Sequence, residues 1–279
     1  MWVYLNGGIL KSEEAKISPL DRSFTFGDGV YEVIPSYNNK PFLFEKHLER
    51  LYSSLEKTFI KAPAELEDLE SILKELHEKN IHQNQFFYVH ISRGIQDVRS
   101  HESSSEITPT FFISSQQLEV NPYRADPTRN GLKIRLEEDV RWQRCDIKTT
   151  ALIGNILSMH DPSLDKVDEI VLHKDGFINE GAKSNIFFVK EGKVYTPPLS
   201  QNILPGITRS YIIDLLRTIE IEILEEEIPV NFIYDSEEVW LTSSTKEIQP
   251  VEQVNDHIIC AENSNTPLWK KVLNLYNQD

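Results

Sequence analysis

Lys148 is the residue of this sequence best placed for covalent chemistry. It lies in RWQRCDIKTTALIGN (141–155), where a loop gives way to a helical pattern. A lysine amine forms an imine with an aldehyde, provided it is desolvated enough to spend time uncharged. On its own a lysine is usually a solvated surface charge, so the weight falls on what accompanies it. Glu180 opens EGAKSNIFF (180–188), at the end of a strand-like stretch. A carboxylate there can accept a proton-bearing ring nitrogen, although a glutamate before glycine is also an ordinary turn. ILPGITRS (203–210) leads straight into a helix. Gly206 lets the backbone come close, Ile207 and Thr208 bring the free N–H groups of a helix start, and Thr208 adds a hydroxyl. Together they make a phosphate seat, and also a plain Pro-Gly turn with a threonine cap. WLTSST (240–245) offers Ser243 and Ser244 as further donors. Arg50, three residues after His47 on one helix face, is a candidate phosphate counter-charge, or else a solvated helix charge. An imine-forming amine, an acid for a ring nitrogen and a phosphate seat together point to pyridoxal 5'-phosphate, a cofactor that makes the ring an electron sink.

The elements that must carry these residues follow from periodicity. WVYLNGGILK (2–11) has Asn-Gly between two short apolar runs, a hairpin signal. VYEVIPSY (30–37) and PFLF (41–44), around a turn at 38–40, suggest a second hairpin. Leu48, Leu51, Leu55 and Phe59 recur at helical steps over 45–60, and ELEDLESILKELHEKN (65–80) is a second amphipathic helix. FFYVHISRG (86–94) and TPTFFISS (108–115) return to strand character. Residues 118–131, with two prolines and a glycine, read as a linker between an N-terminal small α/β domain (1–117) and a larger C-terminal, cofactor-binding domain (132–279). In the second half, 132–140, 168–174, 185–190, 193–197, 219–229 and 237–244 read as strands, and 149–161, 208–219 and 266–277 as helices. The class is α/β in the broad sense, with α+β character.

Composition excludes several functions. Acidic residues outnumber basic ones, 44 to 29, for a net charge of −15. Such a surface repels nucleic acid and anionic lipid, while leaving room for a locally basic pocket. Two cysteines, Cys145 and Cys260, make neither a metal site nor a disulfide framework, and read as reduced thiols of a cytoplasmic protein. No resident metal is expected. The N-terminus turns polar too early for a signal peptide, and no apolar run reaches the length of a membrane span.

FGDGVYEV (26–33), HLERL (47–51), RCDIK (144–148), EGAKSNIF (180–187), VYT (194–196) and LPGITR (204–209) occur in an order and spacing that resembles the branched-chain and D-amino-acid (fold type IV) aminotransferases. The resemblance covers nearly the whole chain. It implies a two-domain fold with the cofactor in the interdomain cleft, and a homodimer. It implies that Lys148 carries the cofactor as a Schiff base and moves the proton at Cα, and that Glu180 meets the pyridine nitrogen. It further implies that Arg50, Ile207, Thr208 and Ser244 hold the phosphate, that Arg141 sits near the glutamate, and that His47 sits near the lysine. Ser243-Ser244 stands where the family often has a small residue followed by threonine. Lys183 lies where a small residue is expected.

Within the family, RGIQDVRSH (93–101) is the discriminating feature. Arg99 and His101 resemble the arginine-x-histidine pair with which D-amino-acid aminotransferases hold the substrate α-carboxylate, together with a tyrosine matching Tyr31. The side on which the carboxylate is held decides which hydrogen at Cα faces the lysine. The loop is one residue longer than the closest D-specific pattern. The expected reaction is transamination of D-alanine, D-glutamate or D-aspartate with a 2-keto acid such as 2-oxoglutarate or pyruvate. The alternatives are an L-branched-chain aminotransferase, an aminodeoxychorismate lyase, and a catalytically silent cofactor-binding protein.

Overall fold

A computed structural model of the chain describes residues 1–104, 106–160, 167–259 and 267–276. Cys260 lies outside them. The chain forms two compact units, Met1–Glu119 with Ile147–Leu152, and Val120–Asp146 with Ile153–Asp279. Both mix helices and strands, so the fold is a two-unit α/β fold.

The first unit holds β1 (Trp2–Leu5), β2 (Gly8–Lys11), α1 (Arg22–Phe26), β3 (Gly29–Tyr37), β4 (Lys40–Pro41), α2 (Phe44–Thr58), α3 (Leu69–Asn80), β5 (Gln85–Ser92) and β6 (Thr110–Gln117). Its strands form one antiparallel sheet in the order β2-β1-β6-β5-β3-β4. Asn6 and Gly7 both adopt positive φ, as a tight turn between β1 and β2 requires. Leu51 and Leu55 of α2 and Leu69, Leu73 and Leu76 of α3 pack with Val30, Ile34, Phe87, Val89 and Ile91. These are the alternate residues of β3 and β5, so one face of the sheet is core.

Two expectations change here, and one helix is new. The second strand of the hairpin expected around 38–40 is only β4, Lys40–Pro41, and does not run on to 44, because α2 already begins at Phe44. The helix expected over 65–80 is a 3-10 turn at Ala64–Asp68 running into α3. Helix α1, which apolar spacing does not announce, is capped by Asp21, whose carboxylate accepts from the Ser23 N–H, and is ended by Gly27 at φ 67°.

The second unit holds α4 (Pro122–Ala125), β7 (Leu132–Glu138), α5 (Ile153–Met159), β8 (Glu169–Lys174), β9 (Phe177–Gly181), β10 (Asn185–Lys190), β11 (Lys193–Thr196), α6 (Ile207–Thr218), β12 (Ile223–Glu225), β13 (Ile228–Pro229), β14 (Glu238–Ser243), β15 (Glu247–Val254), β16 (His257–Ile258) and α7 (Leu268–Leu275). The sheet order is β12-β11-β10-β14-β15-β7-β8-β9-β13, with β16 beside β15. The β11/β12, β15/β7 and β7/β8 pairs are parallel. Asn185 to Val189 of β10 are all buried, which a continuous apolar run demands. Ile186 and Phe188 join a core with Ile134, Val171, Val239 and Leu241, while Phe187 lies against Trp240.

The chain divides differently from the expected 1–117, 118–131 and 132–279. The stretch read as a linker contains α4, with Tyr123 buried and Asn121 bonded to the backbone of Lys246 and Ile248, and from Val120 on it belongs to the second unit. Residues 147–152 return to the first unit, which also shortens the helix expected over 149–161 to α5. The single strand expected over 219–229 is two short ones, β12 and β13. Among the described residues, no helix is long and apolar enough to cross a membrane, and no cluster of His, Cys, Asp and Glu is suited to a metal ion.

Candidate active site

In the first unit, the free edge of the N-terminal half of β3 is filled by the segment carrying Lys148. The Tyr31 N–H donates to the Lys148 carbonyl at 3.0 Å, and the Thr150 N–H donates to the Gly29 carbonyl at 2.9 Å. The Lys148 N–H is taken by the Ser54 hydroxyl of α2 at 3.3 Å. The backbone is thus held on both sides of Lys148. Its Nζ lies 4.3 Å from the centroid of the Tyr31 ring, a cation–π contact. The side chain is half-buried, and among the described residues its amine has no carboxylate partner. No carboxylate competes for this amine, which leaves it available to an aldehyde.

Behind Lys148 lies a buried group that sequence reasoning missed. Glu32, the core-facing neighbour of Tyr31 on β3, is fully buried. Its carboxylate accepts from Arg50 Nε at 2.6 Å and Arg50 Nη2 at 2.9 Å, and lies 2.8 Å from His47 Nδ1. Burial opposes its charge, but Arg50 and His47 outweigh burial and hold the carboxyl far below the usual carboxylate range. Burial keeps His47 below the ordinary histidine value despite Glu32, with Arg50 and Lys148 acting in the same direction as burial. Arg50 is therefore no solvated helix charge. Its guanidinium meets Glu32 as a fork, and any role toward phosphate is additional to that pairing. The available signal was a glutamate on the core-facing phase of an otherwise apolar strand.

In the second unit, Glu180 sits at the end of β9 beside a bulge. Gly181 and Glu180 pair with Val171 and Leu172, whereas Ile178 pairs with His173, so Asn179 is extra. The bulge breaks the alternation. Ile178 joins the core, and Glu180 meets Arg141 Nη1 at 2.9 Å, Asn185 Nδ2 at 3.2 Å and the Leu204 N–H at 3.0 Å. Arg141 also binds Asp139 through Nε and Nη2, at 3.0 and 2.9 Å. Burial works against the Arg141 charge, but Asp139 and Glu180 hold it protonated well above its ordinary value. Asp139 is pulled below its ordinary range, since the Arg141 bonds and Asn179 exceed the cost of burial. One guanidinium shared between two carboxylates leaves Glu180 under-compensated. Burial pushes it up to about 7, against the lowering by Arg141 and the Leu204 amide and with a small push from Asp139.

A pH dependence follows. A carboxyl raised when folded contributes stability that is complete below its unfolded value, near 4.5, and is lost as pH rises through about 7. The cofactor-free protein should lose about 3 kcal/mol between pH 5 and 8 through this group. In urea unfolding at several pH values, Glu180→Gln should remove that slope. Identical profiles for the two proteins would contradict it.

The remaining second-unit residues gather at the start of α6. Gly206 is its N-cap, and no side chain caps the helix, so the first-turn N–H groups at Ile207 and Thr208 lack intrahelical partners. A Cβ at Gly206 would run into the Asn185 amide, the group that holds Glu180. Ser243 ends β14 and Ser244 follows it in the turn to β15, both half-buried. The hydroxyl of Thr242, directly across from Asn185 in the β10/β14 pairing, is buried without a hydrogen-bond partner.

Arg99 and His101 are exposed, and the structure brings them together on Phe26 rather than on Tyr31. The Arg99 guanidinium lies 4.5 Å from the Phe26 centroid, and the His101 ring lies 5.5 Å from it. Among the described residues neither contacts Tyr31 or Lys148. Lys183 is largely exposed beside Glu169. Cys145 is a buried thiol donating to the Trp142 carbonyl, pushed up to about 11 chiefly by burial, with Glu180 and Asp139 adding to it against Arg141.

These residues fit pyridoxal phosphate. The uncapped helix start, the close approach that only glycine allows at 206, and the orphaned Thr242 hydroxyl suit a phosphate. A buried acid suits a ring nitrogen, and an unpaired amine suits the aldehyde.

Comparison with known proteins agrees with this chemistry. The family described as amino-transferase class IV matches residues 29–254. A D-alanine aminotransferase of Staphylococcus haemolyticus is 34% identical over 259 residues, covering 91% of each chain. One from Listeria monocytogenes serotype 4b (strain F2365) is 33% identical over 272 residues, 98% of this chain and 93% of that one. Among solved structures, the branched-chain aminotransferase of the thermophilic archaeon Thermoproteus uzoniensis with norvaline superposes with a TM-score of 0.86 at 24% identity, covering 99% of this chain and 93% of that one. The Escherichia coli branched-chain enzyme gives 0.87 at 22%, covering 98% and 92%. At these identities the structures speak for the fold.

Proposed function

This chain belongs to the class IV aminotransferases, which use pyridoxal phosphate, and on that premise we propose that it moves the amino group of small or acidic D-amino acids to a 2-keto acid. The observation that carries the reading is Lys148, with its backbone fastened to β3 and α2 and its amine above the Tyr31 ring without a carboxylate partner among the described residues. When bound, the cofactor supplies a carbonyl carbon for the amine and an electron-withdrawing ring that weakens the Cα–H bond. Lys148 Nζ then takes that proton and returns it, since a freed amine beside the reacting carbon is the nearest base. Glu180, held by Asn185 and the Leu204 amide, keeps an acid–base pair with the ring nitrogen. The N–H groups at Ile207 and Thr208, the hydroxyls of Thr208, Ser243 and Ser244, and Arg50 bind phosphate. Tyr31, Arg99 and His101 bind the substrate carboxylate. Arg141 orients Glu180, and His47 braces the Lys148 side through Glu32.

D-alanine fits the reading through the D-alanine aminotransferases that align with nearly the whole chain. A cytoplasmic homodimer completes it. Rapid-scan spectra of the cofactor-loaded protein, mixed separately with D-alanine, D-glutamate, L-alanine and L-leucine, test enantiomer and chemistry together. The cofactor band should shift with the D-series. Conversion by L-leucine alone would place the enzyme with the branched-chain group, and pyruvate release from aminodeoxychorismate would make it a lyase. Sedimentation gives the oligomeric state.

A further inference from the structure

Helix α1 has no part in the reading above, yet its first residue reaches the proposed carboxylate trap. Arg22 is buried, with 6% of its side chain exposed. Nε donates to Asp28 at 2.7 Å. Nη1 donates to the Gln96 side-chain oxygen at 3.1 Å and to the Ser100 carbonyl, and Nη2 donates to the His101 carbonyl at 3.2 Å. Its guanidinium also lies 4.7 Å from the Phe26 centroid, the ring on which Arg99 and His101 rest. Asp28 is fixed in turn by Arg93, and is held below its ordinary range because the two arginines exceed the effect of burial. Gln96 closes the loop on itself through the Val98 and Glu102 carbonyls. At the loop's entry Gly94 adopts φ +111°, where any Cβ would overlap the Thr108 carbonyl. The loop therefore exposes the Arg99 and His101 side chains while one buried guanidinium holds its backbone at Ser100 and His101.

We propose that Arg22 is a positioning residue for substrate carboxylate recognition, acting through the backbone carbonyls of Ser100 and His101 and the shared Phe26 ring. The proposal rests on the reading of Arg99 and His101 as the carboxylate trap. Only a planar fork can serve an acid on one side and three loop acceptors on the other, and a lysine ammonium cannot reach all four. Loosening the clamp lets the trap wander on the scale of an ångström, enough to cost on the order of tenfold to a hundredfold.

The test compares wild type, Arg22→Lys, Arg99→Met and the double variant, using the alanine enantiomer that reacts and its alaninamide, which lacks the carboxylate charge. In Arg22→Lys, KM for alanine should rise about tenfold or more while kcat stays within about threefold. Its preference for alanine over alaninamide should collapse, with the cofactor's visible absorbance and the melting temperature near wild type. The double variant should lose little beyond Arg99→Met alone, since both changes act on one group. Gln96→Leu, which loosens the same clamp from the exposed side, should move KM in the same direction by less, and serves if Arg22→Lys folds poorly. If Arg99→Met keeps the preference for alanine, the trap reading fails and the proposal with it. If Arg99→Met loses that preference while Arg22→Lys and Gln96→Leu keep it, or if the two losses simply add, Arg22 has no such role and the trap reading stands.

Discussion

Lys148→Ala should abolish transamination, with turnover down by at least about 10²–10⁴-fold, the usual contribution of a positioned acid–base group. The loss should exceed that figure if, as proposed, the same amine also binds the cofactor covalently. Borohydride reduction of the loaded wild-type protein should leave a pyridoxyl mass on the peptide containing residue 148, and none in the variant. Lys183→Ala is the matched control. Its side chain is largely exposed beside Glu169, so turnover should stay within about twofold, as for surface changes generally. Label on the Lys183 peptide, or persistent label in Lys148→Ala, would mean that the reactive amine has been misassigned.

Glu32→Ala should destabilise the first unit by about 3–5 kcal/mol. The reason is what it leaves behind: the Arg50 guanidinium, 8% exposed, and the His47 ring, 1% exposed, both without the carboxylate they share. An exposed pair would be worth under about 1 kcal/mol. Replacing the set together, as Glu32→Leu with Arg50→Met, should recover much of the loss, because apolar groups of similar volume avoid the buried charge altogether. Urea unfolding of the three variants checks this, and a loss below about 1 kcal/mol in Glu32→Ala would show that the cluster is solvated. Acid gives a second check. A carboxyl lowered when folded stabilises above its unfolded value, near 4.5, and that stability fades as pH falls toward the folded one. Glu32 and Glu180 thus pull the stability of the protein in opposite directions along the pH axis.

The parts of this arrangement that were readable in the amino-acid order are those set locally. The Asn6-Gly7 turn, the apolar spacing of α2, the glycine entry to α6, and the lysine and glutamate in their motifs all announce themselves within about ten residues. Glu32 does not, because its partners lie 15 and 18 residues away and meet it only once α2 has packed on β3. The same distance hid the second identity of Arg50. Helix α1 is too short for a period, and it stands on a cap and on bonds from Arg22 to residues 74–79 positions away. Thr149 and Thr150 open a run of helical spacing but lend their backbone to β3 instead, a competition that periodicity cannot register.

That loan has a consequence for synthesis. A ribosome delivers residues 1–119 first, with the Tyr31 amide and the Gly29 carbonyl still lacking Lys148 and Thr150. Until residue 152 has cleared the exit tunnel, β3 presents an unfinished border to any neighbouring chain, the sort of edge that templates aggregation. The nascent N-terminal unit is completed by the segment of Lys148 itself, so a truncated product ending at the interdomain junction would lack both the amine proposed to react and its protective hem.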